Sequence, residues 1–281
     1  MSGPGTPASA PVLANDFQGV RAPVCGTTEG HSVNDLAKVY HYPVNVNGSW
    51  VLRMPSHRAI QYMQDPISGW ERERLAAMRD TIRPDSVVYD VGSEQGDFTA
   101  LISSWCHEGS VVAVEPNPWV WPCIKAIFDE NDLTPPAATY VGFVGSNITI
   151  PTNPDGIRRG FFRGWPDCAT GIIDPAAGFA HMAQEQDRVP TTTVDELVRR
   201  TGLVPDVLTM DAEGSEWFVL KGAARTLAVH RPTVFVSVHD AFLRDMYGQT
   251  PADVLRLMAK AGYDAEHLAT DHEAHWRFSP R

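Results

Sequence analysis

Four side chains suited to chemistry each stand at the end of an apolar run. Asp90 follows Val87 to Tyr89, Glu115 follows Val111 to Val114, Asp211 follows Val207 to Met210, and His239 follows Thr233 to Val238. Short apolar runs of this kind predict buried strands. A carboxylate at a strand tip can accept hydrogen bonds from both hydroxyls of a ribose. A histidine there is a candidate general base, since its ordinary pKa of about 6.5 suits proton transfer near neutrality.

These side chains need elements to position them. Between Asp90 and Glu115 lie a turn with Gly92 and Gly96 and a helical pattern of Phe98, Leu101, Ile102 and Trp105. Strand, turn, helix and strand make the first half of a nucleotide-type crevice. Glycines let backbone approach a ligand closely. A dinucleotide site wants G-x-G-x-x-G; here only two glycines occur, flanked by Glu94 and Asp97. Those acids predict repulsion of a pyrophosphate and preference for a ligand bearing a cationic amine or sulfonium.

The run Asp90 to Gly96 (DVGSEQG) resembles motif I of the S-adenosylmethionine-dependent class I methyltransferases, and Ala113 to Asn117 (AVEPN) resembles their ribose-binding motif. Further on, TTTVDEL ending at Leu197, DVLTMDAEGSE from Asp206 to Glu216, and LKGA from Leu220 to Ala223 resemble the FkbM family signature. The resemblance runs from about Trp70 to Gly262. It implies O-methyl transfer from S-adenosylmethionine to a hydroxyl of a small molecule such as a sugar, glycoside or polyketide. It also implies a cofactor-binding set. Asp90, Gly92 and Gly96 line the methionine turn, Glu115 takes the ribose, and Asn117 and Phe143 lie near the adenine; Ser93, Phe98, Pro116 and Asp211 complete it. The family often carries an acid two residues before the histidine of its last core strand, where this chain has Ser237.

An aliphatic hydroxyl is a weak nucleophile, so methyl transfer calls for a general base or a metal. His239 is the first candidate base and Asp211 the alternative. Asp211 could instead touch the methionine part of the cofactor, or join Asp240 and Glu213 in an oxygen-rich Mg²⁺ site. Glu216, three residues after Glu213, reads as a helix N-terminal acid favourable to the dipole. Arg163 and Trp165 interleave with other arginines and aromatics in a long irregular stretch. With Glu213 they are the substrate candidates, and a surface loop tucked onto the core is the competing reading.

The whole chain bounds the rest. It has 281 residues, 43% hydrophobic and 20% charged, and a net charge of −11. That charge argues against a nucleic-acid partner. No window reads as a membrane span or secretory signal, and four scattered cysteines fit a reducing cytoplasm. Residues 1–30 read as a loosely docked arm and 31–83 as an extension with a hairpin at Asn47-Gly48 and a helix from Ile67 to Ile82. Glu71, Arg72, Glu73 and Arg74 are expected outward on that helix. Residues 84–281 read as the methyltransferase domain, with a lid-like insertion at 145–189. The expected fold is α/β and Rossmann-like: a doubly wound, mostly parallel sheet with an antiparallel C-terminal strand. A catalytically silent cofactor binder and a nucleotide-dependent oxidoreductase are the alternatives, and a homo-oligomer is left open.

Overall fold

The computed structural model describes residues 40–64, 71–146, 160–173 and 189–281. The expected arm at 1–30, and Arg158 and Arg159 of the insertion, lie outside them.

The chain opens with a hairpin, β1 (His41–Val46) and β2 (Trp50–Pro55), turned by Asn47 and Gly48, both at positive φ. Helices α1 (Ser56–Gln64) and α2 (Arg72–Thr81) follow. Then strands and helices alternate: β3 (Val87–Val91), α3 (Asp97–Trp105), β4 (Ser110–Val114), α4 (Trp121–Glu130) and β5 (Ala138–Tyr140). After short strands β6 (Phe143–Val144), β7 (Phe161–Arg163) and β8 (Thr191–Thr192) come α5 (Val194–Thr201), β9 (Val207–Asp211), α6 (Glu216–Gly222) and β10 (Thr233–Val238). Helices α7 (Asp240–Tyr247) and α8 (Pro251–Lys260) precede the closing pair β11 (Tyr263–Thr270) and β12 (Ala274–Pro280).

The main sheet has the order β11-β12-β10-β9-β3-β4-β5-β7. Strands β10, β9, β3, β4 and β5 are parallel, while β12 runs antiparallel to β10. This is the expected class I arrangement. Both faces are covered, as a parallel sheet requires. On one side Val88, Val111 and Phe235 pack with Leu75 and Met78 of α2, Leu101 of α3 and Ile124 of α4, and the hairpin's Val46, Leu52 and Met54 join the same cluster. On the other, Tyr89, Val112 and Val236 meet Leu197 of α5, Leu220 of α6 and Met258 of α8. Thr193 caps α5 by accepting from the Glu196 N–H, and Thr250 opens α8 with a complete capping box.

Several sequence expectations shift. The pattern from Ala138 to Val144 predicts one strand; the chain forms two there, and β6 pairs with β8. Asn117 followed by Pro118 predicts a helix start, but Asn117 caps a local turn, accepting from the Trp119 N–H at 3.0 Å, and the helix starts at Trp121. Helix α1 was not foreseen. On α2, Arg74 is buried with Leu75 and Met78 and points inward. Glu71, at the N-cap of that helix, is buried as well.

Candidate active site

The carboxyl ends of β3, β4, β9 and β10 form one rim, carrying Asp90, Glu115, Asp211 and His239. The turn after β3 is stitched to β4: the Gly92 and Ser93 N–H groups donate to the Val114 carbonyl at 2.9 and 3.0 Å. Gly92 has φ +89°, and a Cβ there would meet the Asp211 carbonyl oxygen at 1.8 Å. Only glycine lets the tips of β3 and β9 come this close. Gly96 (φ +92°) precedes α3, and a Cβ on it would sit 2.7 Å from Ile124 Cγ2. Asp90 is buried and accepts from Thr99 Oγ1 at 2.5 Å and Ser93 Oγ at 3.2 Å. Burial pushes its pKa up to about 6.

Glu115 is buried at the tip of β4. Its Oε2 accepts the Glu94 N–H at 2.9 Å and its Oε1 the Asn117 N–H at 2.8 Å. Burial pushes its pKa up to about 8, against the pull of those two backbone donors. Each carboxylate oxygen has room for a second donor.

The acids beside the turn do not act as a bare negative patch. Arg58, from α1, reaches Asp97 at 3.0 and 3.1 Å and Glu94 at 3.2 Å, and the Tyr62 hydroxyl donates to Asp97. A single guanidinium against two carboxylates offsets one of the two charges, so the expected repulsion of a pyrophosphate is weakened and not removed. No feature of the turn itself signalled that partner.

At the tips of β9 and β10 a second network forms. His239 Nδ1 lies 2.7 Å from Glu216 Oε1; its Nε2 lies 3.0 Å from Glu273 Oε1 and 3.4 Å from Asp211 Oδ1. Burial alone would lower the histidine pKa. The bonded Glu216 and Glu273, with the charge of Asp211, outweigh it and push the value up to about 11. The unperturbed value assumed from sequence does not apply. Glu216, read as a dipole acid, is completely buried and grips His239. Glu213 lies in the turn before α6 at φ 45°, so it does not share a helix face with Glu216. Phe242 of α7 stacks on the His239 ring, centroids 5.8 Å apart. Beneath, Arg74 donates to Glu71, to Ser237 Oγ at 2.9 Å and to Thr209 Oγ1 at 2.7 Å, and lies 3.5 Å from Asp211 Oδ2.

Other expected site residues fall elsewhere. Asp240 is turned to Arg244, 2.5 Å away, and does not approach Asp211; the carboxylates grouped with Asp211 are Glu71 and Glu273. The grouping of Asp211 and Asp240 expected to hold Mg²⁺ is therefore not formed, and Glu71 is ion-paired to Arg74. Strand β7 runs antiparallel to β5, pairing Tyr140 with Phe161 and Ala138 with Arg163. The chain thus descends from the rim, leaving Arg163 exposed beside the amino end of β5. Trp165 packs edge-on against Phe128 at 5.1 Å, at the far end of α4. Neither stands at the rim, and the described part of the insertion is tucked onto α4. Phe98 is half-buried in the first turn of α3 and packs on the core, Pro116 is half-buried between Glu115 and Asn117, and Phe143 lies past β5 in the small β6–β8 sheet.

Residues 90–265 match the family model described as the methyltransferase FkbM domain. The chain belongs to the FkbM methyltransferase family. A curated relative, the hexuronic acid methyltransferase AglP of Haloferax volcanii, is 27% identical over 208 residues, covering 70% of this chain and 74% of the relative. Among solved structures, the methyltransferase FkbM of Methylobacillus flagellatus is similar with a TM-score of 0.43 and 16% identity. It covers 70% of this chain, which spans only 44% of that one. An rRNA methylase of Streptococcus thermophilus gives a TM-score of 0.44 at 7% identity, covering 78% of this chain and 98% of its own.

In this FkbM methyltransferase, sequence reasoning missed Arg58, Glu71, Arg74 and Glu273. All four lie outside the matched span. Ser237 was the one available signal: where the family often has an acid, a hydroxyl stands, and Glu273 of the β11–β12 turn joins Glu216 and Asp211 around His239.

Proposed function

We propose that this FkbM methyltransferase uses S-adenosylmethionine to methylate a hydroxyl of a small sugar-type acceptor, with Asp211 as the proton acceptor and His239 as its neighbour and clamp. The observation that carries the cofactor reading is Glu115: a buried carboxylate, held by two backbone N–H groups, with acceptor positions left for a ribose diol. The bare Cα of Gly92 lets the tips of β3 and β9 close together, which brings Asp211 beside the turn.

When bound, the cofactor supplies an electrophilic methyl on a sulfonium sulfur. This chain's residues do the rest. Glu115 fixes the ribose, and the Gly92–Gly96 turn keeps its backbone clear for the methionine portion. Both ring nitrogens of His239 are engaged by carboxylates. Asp211 keeps over a quarter of its side chain open, at 28%. With the cofactor bound, Asp211 would take the hydroxyl proton as the acceptor oxygen bonds to the methyl carbon and the carbon–sulfur bond breaks, the neutral thioether S-adenosylhomocysteine leaving. The Phe242 ring beside His239 offers an apolar face to a sugar ring. The hexuronic acid relative supports testing acidic sugars first. No step is routed through Mg²⁺, because Asp211 and Asp240 do not converge.

The test uses S-adenosylhomocysteine, NAD and glucuronic acid or its methyl glycoside. At ~100 times Kd, a ligand stabilises the fold by about 2.7 kcal/mol. S-adenosylhomocysteine is expected to raise Tm and NAD to leave it unchanged; the reverse overturns the cofactor reading. Asp211→Asn is expected to keep S-adenosylhomocysteine binding and lose methyl transfer to the uronate. Full transfer by that variant removes Asp211 from the mechanism.

A further inference from the structure

The turn between β11 and β12 brings Asp271, His272, Glu273 and His275 together, each offering one ligand atom, all within 4.8 Å of one another. Two imidazoles and two carboxylates make a mixed nitrogen and oxygen donor set. Imidazole donors suit zinc and its neighbours, whereas magnesium prefers oxygen and water.

Metal sites also fix the far side of each ligand, and three of these four residues are held in that way. His275 Nδ1 lies 3.0 Å from Ser237 Oγ, which leaves Nε2 facing the cluster 2.8 Å from Asp271 Oδ1. Asp271 Oδ2 accepts the Glu71 backbone N–H at 2.6 Å, and its Oδ1 accepts the His272 backbone N–H at 2.6 Å and lies 2.7 Å from His272 Nδ1 and 2.8 Å from His275 Nε2. Glu273 Oε1 is spent on His239 Nε2 at 3.0 Å. Its other oxygen, Oε2, is buried and lies 2.6 Å from His272 Nε2, inside the cluster. The two carboxylates and two imidazoles therefore already converge on one another, and a cation would take the place of the protons they share.

We propose that Asp271, His272, Glu273 and His275 bind one divalent transition-metal ion, zinc foremost, as a structural site at the β11–β12 turn. The ion sits beside the reaction centre rather than in it. By holding Glu273 it fixes the carboxylate that contacts His239. This explains Ser237 as well. A hydroxyl at that position reaches the Nδ1 of His275 and accepts from Arg74, whereas an acid there would add charge beneath the ligands. The proposal stands independently of the acceptor and of S-adenosylmethionine.

The full chain, stripped with chelator and dialysed against Zn²⁺, is expected to take up one ion per chain, with a rise in Tm that chelator reverses. Co²⁺ in its place should give visible d–d absorption. His272→Ala, in the turn, should weaken Zn²⁺ binding at least ~10-fold, as should Ser237→Ala, which removes the outer partner of His275 and one acceptor of Arg74. Circular dichroism checks that both variants fold. His275→Gln alters a fully buried position and is read only if it also folds. A hundredfold excess of Mg²⁺ should not displace the ion. Failure of stoichiometric uptake, wild-type affinity in the folded His272 and Ser237 variants, or displacement by Mg²⁺ would each overturn the site.

Discussion

Replacing Glu115 with glutamine separates the pocket's need for a carboxylate from the fold's dislike of one. In the cofactor-free protein, burial raises the Glu115 pKa from 4.5 to about 8. An acid raised in this way contributes stability fully present below its unfolded pKa and lost as pH rises through the folded value. The shift of roughly 3.5 units, at ~1.4 kcal/mol per unit, sets a ceiling of ~5 kcal/mol on what wild type loses between about pH 4.5 and pH 8. Glutamine has no such pH dependence. It offers one acceptor to the two backbone N–H groups of Glu94 and Asn117, a fixed cost of ~1–3 kcal/mol at every pH. Glu115→Gln is therefore expected to be less stable than wild type near pH 5 and more stable near pH 9, the curves crossing between about pH 5 and pH 7. Urea unfolding at a series of pH values measures this. Binding supplies the other half. Ribose hydroxyls donate to the charged form, so S-adenosylhomocysteine should release a proton on binding near neutrality and bind more tightly as pH rises towards 8. Calorimetry in buffers of different ionisation enthalpy reads that proton. The reasoning is refuted if the two unfolding curves run parallel across pH, or if the variant binds S-adenosylhomocysteine as wild type does.

Other substitutions test the surroundings. Arg58→Met strands the buried Asp97 carboxylate and should cost ~3–5 kcal/mol in denaturant unfolding; adding Asp97→Asn should return much of that loss, and no recovery would sink the charge-balance account. Gly92→Ala forces a Cβ towards the Asp211 carbonyl from a left-handed backbone and should cost at least ~2 kcal/mol while weakening S-adenosylhomocysteine binding. An unchanged Tm would refute that close approach. Trp165→Ala should cost ~3 kcal/mol through lost packing on Phe128 yet leave S-adenosylhomocysteine affinity unchanged; a large loss of affinity would return Trp165 to the site.

The rim was legible in the sequence because its logic is local. An apolar run that stops at Asp90, Glu115, Asp211 or His239 marks a buried strand and the end that faces a ligand. What escaped was long-range. Arg74 and Glu71 read as solvent-facing helix charges, since charge normally means exposure. Their burial follows only from partners more than a hundred residues away, Thr209, Ser237 and Asp271. Arg58 was hidden for the same reason, being set against Asp97 across 39 positions. The aromatic and arginine run around Trp165 suggested a lid from composition alone. The direction of β7, which carries Arg163 and Trp165 away from the rim, is fixed by its pairing with β5 and by nothing within the run. His239 was found correctly as a rim residue, but its protonation is set by Glu216 and Glu273, and only tertiary placement makes those acids neighbours.

Arg58 comes from ahead of the matched span, and Glu273 from behind it. A swap that transplanted residues 90–265 alone into a foreign scaffold would carry over the crevice and leave behind the cation that steadies its floor and the acid that braces its histidine. The smallest portable unit for engineering is thus the chain from the hairpin to the last strand, and hybrids joined at the family's borders should fold poorly.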